Sequence, residues 1–71
     1  MNAMEALRYM PQKDDVLMEV KTGNYAVVKE DAKKTHVKLY WSDDRNPPML
    51  IPIAHIRSSL IKEELVLARK Q

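Results

Sequence analysis

The chain has 71 residues, which makes one domain at most, and a chain this short buries only about 60% of the surface its unfolded form exposes. It has no cysteine, which excludes disulfides and thiolate metal sites and fits a reducing compartment. Twelve basic and ten acidic side chains leave a formal charge of +2, without the clear cationic excess of a dedicated nucleic-acid binder. No apolar run is long enough to span a bilayer, and the first residues lack the basic start and apolar stretch of a secretory signal. A soluble, cytoplasmic protein is therefore expected.

Residues 1–14 read as an N-terminal extension. Asn2 and Glu5 have the spacing of a capping box, and Ala3, Leu7 and Met10 would share one face of a short helix that Pro11 stops. The competing reading is a frayed terminus, and the functional reading of its methionines is a face that grips a partner.

Residues 15–61 carry the domain proper. Val16-Leu17-Met18-Glu19-Val20-Lys21 is the first expected strand, with Val16, Met18 and Val20 inside and Leu17 outside. Thr22-Gly23-Asn24 supplies the positive-φ residues of a tight turn into a second strand, Tyr25 to Glu30. Asp31 to Lys34 turns the chain into Thr35-His36-Val37-Lys38-Leu39-Tyr40-Trp41, the most strictly alternating stretch and the expected central strand. Val37, Leu39 and the single tryptophan, Trp41, fall on one side; His36, Lys38 and Tyr40 fall on the other. Three such strands form an antiparallel meander.

The stretch from Ser42 to Pro48 is a polar loop whose prolines cannot donate to a sheet. Met49-Leu50-Ile51-Pro52-Ile53 is a fourth strand, confined to an edge or a bend by Pro52, with Leu50 outward. Ala54 to Arg57 reads as one tight turn and Ser58 to Ile61 as a short closing strand. Residues 62–71 form a C-terminal extension, for which the favoured reading is a helix starting near Ser58 or Ser59 with Ile61, Leu65 and Ala68 on one stripe. A strand through Glu64 to Arg69 and a mobile tail are the competing readings.

This order of strands, ending in Ile51-Pro52-Ile53-Ala54-His55-Ile56-Arg57, resembles an SH3-like small barrel of the Tudor or KOW kind. In such barrels an apolar-Pro-apolar segment leads through a single 3₁₀ turn into the closing strand. The resemblance covers Asp15 to Ile61 and implies a mainly β fold, a small antiparallel barrel of four to five strands with short extensions. Such barrels often work on the transcription or translation apparatus.

Catalysis has little to stand on, and no enzyme is expected. His36 and His55 lie on different elements with no nucleophile motif beside either, and no ligand spacing suggests a metal or other cofactor. Asp43-Asp44 reads as loop capping rather than a Mg²⁺ site. Tyr25, Tyr40 and Trp41 with Asp43 or Asp44 hold the residue types of a methylammonium cage, but Tyr40 and Trp41 are strand neighbours and point to opposite sides.

Two binding functions remain. The first is a small regulator that docks on a larger protein assembly, with a phage or bacterial modulator of RNA polymerase as its concrete form. Its contact residues would be Leu17, Tyr40 and Leu50, the two leucines being placed outside by parity. The alternative is nucleic-acid binding by Lys29, Lys33, Lys34, His36, Lys38 and Tyr40, cations beside a ring that can stack on a base.

Overall fold

Alternation is strongest at His36–Trp41, and there the expected pattern holds: Val37 and Leu39 are buried, Trp41 packs against the core, and His36 and Lys38 are exposed. A computed structural model of the chain describes residues 1–43 and 48–69. Most of the expected polar loop, including Asp44, lies outside the described residues, as do residues 70–71. In chain order the elements are α1 (Ala3–Arg8), β1 (Val16–Glu19), β2 (Tyr25–Val28), β3 (His36–Trp41), β4 (Met49–Pro52), α2 (Ile53–Ile61) and β5 (Leu65–Arg69).

The strands form one antiparallel sheet in the order β4-β3-β2-β1-β5, so the middle place belongs to β2 rather than β3. The mainly β class is as expected. The sheet is not closed into a barrel: β4 and β5 are its two edges, and α2 contacts both of them.

The largest departure from expectation is α2. A tight turn and a short strand were expected from Ala54 to Ile61, but the segment is one helix. Its buried residues, Ile53, Ile56, Ser59 and Leu60, recur at helical spacing and cover the sheet. Pro52 precedes the first helical residue with extended backbone, where a missing N–H costs nothing to the helix.

The helix ends in a Schellman motif, with Glu63 N–H donating to Leu60 O at 3.2 Å and Glu64 N–H to Ser59 O at 2.9 Å. Glu63 takes the left-handed conformation this motif requires, φ +60°, a place usually held by glycine. The chain is thereby turned out of helix and into β5, where a helix had been the favoured reading. β5 pairs with β1, setting Leu65 opposite Glu19 and Leu67 opposite Leu17, with a register shift between Val16 and Leu17.

The phase of β1 is opposite to expectation, because the helices cover the side that Leu17 shares with Leu67. Leu17 has no exposed surface, whereas Val16 and Met18 are half-buried and Val20 is exposed. Leu17 packs with Ala26, Val28, Leu39, Ile56, Leu60 and Leu65 in the core between sheet and helices. Gly23, at φ +78°, reverses the chain between β1 and β2 with its N–H on Glu19 O at 2.8 Å. A Cβ there would meet nothing within 4 Å, so only backbone conformation calls for glycine.

The N-terminal helix has the expected capping box: Asn2 Oδ1 accepts from Glu5 N–H at 2.8 Å, and Glu5 Oε1 accepts from Asn2 N–H at 3.1 Å. Its buried face is different from the expected one. Ala6 and the following Tyr9 face inward, while Met4, Leu7 and Met10 are exposed. The chain after α1 is held by Asp15, which is fully buried and accepts hydrogen bonds from the Tyr9 hydroxyl at 2.7 Å and from Gln12 N–H at 3.0 Å. Arg57 Nε of α2 donates to Tyr9 O at 2.8 Å, tying the two helices together.

Candidate functional site

Both helices pack on the same side of the sheet as Leu17, Ala26, Val28 and Leu39. The opposite face has no element over it among the described residues. The ladder determines which side chains share that face. Val16 lies opposite Val27, Val27 opposite Tyr40, Met18 opposite Tyr25, and Met18 opposite Val66 on the other side. Lys38 lies opposite Leu50, and His36 opposite Pro52. A continuous surface of Val16, Met18, Tyr25, Val27, Tyr40 and Val66 therefore crosses four strands, with Leu50 at its far edge.

Much of this surface meets solvent. Leu50 is 62% exposed, Tyr25 50% and Val66 36%. Lys29 Nζ lies over the Tyr40 ring, 5.1 Å from its centroid, within range for a cation–π contact. Lys29 and Lys38 stand beside the apolar patch, so the face is amphipathic, apolar in the middle and cationic toward the β3–β4 edge.

Of the residues expected to contact a protein partner, Tyr40 and Leu50 share this face and Leu17 does not. Leu17 is corrected to a core residue: its strand runs in the opposite phase, so it faces the helices. Of the cationic set, Lys29, Lys38, His36 and Tyr40 lie on the open face. Lys33 and Lys34 sit in the reversal before β3, where Lys33 N–H donates to His36 O and His36 N–H to Lys33 O, both at 3.0 Å. Lys34 adopts φ +49° in that reversal. Sequence reasoning missed Tyr25, Val27, Met18 and Val66 as members of the patch. For Tyr25 and Val27 the signal was present in the parity of β2, since they share one side with Lys29; Met18 and Val66 join them only through register.

The expected alternation also disposes of the methylammonium cage. Tyr25 and Tyr40 lie on the open face, whereas Trp41 pairs with buried Ala26 and packs against the core on the opposite side. Asn24 Nδ2 donates to Asp43 Oδ2 at 2.9 Å and Ser42 Oγ accepts from Tyr25 N–H at 3.0 Å, so the start of this loop is tied to the beginning of β2.

A second concave region opens where the sheet fails to close. It has a volume of about 820 Å³, with Leu39, Trp41, Met49 and Ile51 on one wall and Ile56 and Leu65 on the other. Glu19, Glu63, Glu64 and Lys21 form its charged rim, and His55 lies on the α2 side. His36 is on the other face of the sheet, so the histidines are not brought together. Among the described residues, no group of three or more His, Asp or Glu is arranged to hold a metal ion. No described helix is long and apolar enough to cross a membrane.

Comparison of the chain with protein-family models, with curated proteins and with solved structures finds no match in any of the three.

Proposed function

We propose that this chain is a small non-enzymatic regulatory protein of the cytoplasm that docks on a larger protein assembly through the open face of its sheet. The supporting observation is the run of apolar and aromatic side chains across that face, with Leu50 and Tyr25 each at least half exposed. Contiguous apolar surface bordered by charge is the usual mark of a protein-binding patch, and tyrosine brings large contact area at small entropic cost. We further read the fold as an opened small barrel of the SH3-like kind. In support, the last strand pairs with the first, and the Ile51-Pro52-Ile53 segment leads through helix into that strand. On this reading the assembly is the transcription apparatus, with bacterial RNA polymerase the first partner to test.

The test is binding of the purified chain to purified RNA polymerase, with wild type set against Leu50→Asp and Tyr25→Asp. The proposal expects saturable wild-type binding that both variants weaken at least tenfold. Equal binding by wild type and variants would remove the open face from the interaction.

Nucleic-acid binding is kept as a second reading because Lys29 sits over Tyr40, with Lys38 and His36 on the same face. A half-buried ring flanked by cations can stack a base while the cations neutralise phosphate. Affinity for single-stranded DNA or RNA that falls steeply as salt rises would favour this reading, and its absence would leave the protein-docking one.

A further inference from the structure

We propose that the outer edge of β5 is a self-pairing interface, at which two copies of this chain join antiparallel and double the five-stranded sheet. The two edges of the sheet are not alike. β4 ends in Pro52, which has no N–H to offer, and the next N–H, that of Ile53, is already donated to Thr35 O at 2.8 Å. β5 has the sequence Leu-Val-Leu-Ala-Arg, with no proline and apolar residues on both faces. Such an edge is a template for another strand.

The ladder shows which backbone groups are offered. Val20 N–H donates to Glu64 O at 3.1 Å, so Glu64 turns its carbonyl toward the β1 side. Alternation along the strand then turns the backbone of Val66 toward β1 and that of Leu65 and Leu67 toward the open edge. Beside that edge runs a groove of about 610 Å³ walled by Met1, Leu60, Leu65, Val66 and Leu67, with Glu5 and Glu63 on its lining. It provides apolar area that a strand pair alone would lack.

The occupant is identified by symmetry of charge. Glu63 and Glu64 precede β5 and Arg69 ends it. A two-fold interface must be complementary to itself. Antiparallel pairing brings the acidic start of one strand to the basic end of the other, and does so twice, whereas parallel pairing would set like charges together. With Leu65 opposite Leu67 of the second copy, Val66 faces its own counterpart on the open side of the sheet. The row Tyr25–Met18–Val66 then continues across the axis. The inference does not rest on the proposed partner.

Sedimentation equilibrium of the full chain over roughly 1–500 µM, a range that brackets weak association, tests it. The expected result is a monomer of 8.3 kDa passing to a species of twice that mass. Val66→Lys should weaken association at least tenfold by placing two ammonium groups across the axis, while circular dichroism shows the monomer still folded. Glu64→Lys and Arg69→Glu should each weaken self-association, and an equimolar mixture of the two should recover it as a heterodimer. A chain that stays at the monomer mass, a dimer indifferent to Val66→Lys, or a mixture no tighter than its components would overturn the proposal. None of these measurements involves RNA polymerase or nucleic acid, so failure here leaves the proposed function standing.

Discussion

The Tyr9 hydroxyl donates a 2.7 Å hydrogen bond to Asp15 Oδ2, joining the end of α1 to the start of β1 inside the core. Burial, the hydrogen bond to Asp15 and the negative charge of that carboxylate all push the phenol above its usual pKa near 10. The sign follows from linkage. The folded state holds the proton more tightly than the unfolded chain, so this contribution is complete below about pH 10 and declines as pH rises further. Tyr9→Phe should cost about 1–3 kcal/mol at neutral pH by leaving a buried carboxylate short of a donor. Urea denaturation from pH 7 to 11 checks both points: the variant should be less stable at pH 7 and lose less stability above pH 10 than wild type.

The phase of β1 makes opposite demands on two leucines that sequence parity had placed together. Leu17 is wholly buried and Leu50 is largely exposed. Leu17→Ala should destabilise by about 2–5 kcal/mol, the range for truncating a core leucine. Leu50→Ala should stay within about 0.5 kcal/mol of wild type, as surface substitutions do. Chemical denaturation of the two variants, side by side, decides whether the face assignment is right.

How much was legible in the sequence follows from whether one face of each element is polar. β3 alternates without exception, and its inward set of Val37, Leu39 and Trp41 was readable at once. β1 carries apolar side chains on both faces, with Val16 and Met18 on one and Leu17 on the other, so alternation could not choose between them. The choice is made by the helices that cover Leu17, of which α2 is remote in sequence. The same ambiguity concealed α2: Ile53, Ile56 and Leu60 fit a helix, but the strand-forming run before them and Pro52 favoured an extended reading. The open face escaped notice for a related reason, because Tyr25 and Val27 of β2, Met18 of β1 and Tyr40 of β3 lie on three strands that only register brings side by side.

Trp41 gives the cleft an optical reporter. It lines the 820 Å³ opening together with Leu39, Met49 and Ile51. An apolar probe such as a naphthalene sulfonate entering there should quench or shift the emission of this single tryptophan. His55→Phe, at an exposed α2 position on the same cleft, keeps Trp41 the single tryptophan and should change probe affinity severalfold if the probe enters there. An unchanged Trp41 emission on probe binding would place the probe on the open face instead.

The Schellman ending of α2 lacks the residue that most often makes it, and this explains both a misread boundary and a route to greater stability. No glycine or asparagine marks the stop after Ile61, so helical spacing read on through Leu65 and Ala68. The stop comes from Glu63 at φ +60°, with its own N–H on Leu60 O and that of Glu64 on Ser59 O. A left-handed residue bearing a Cβ costs about 1–2 kcal/mol, a penalty glycine escapes. Glycine also enlarges the conformational freedom of the unfolded chain, which returns part of that gain. Glu63→Gly should therefore raise stability by about 0.5–1 kcal/mol, whereas Glu63→Val should lower it, because branching at Cβ worsens the same clash. Thermal melts at one fixed protein concentration should rank the three chains Gly above Glu above Val. A glycine variant that melts below wild type would mean that the side chain of Glu63, rather than its backbone, holds the junction between α2 and β5.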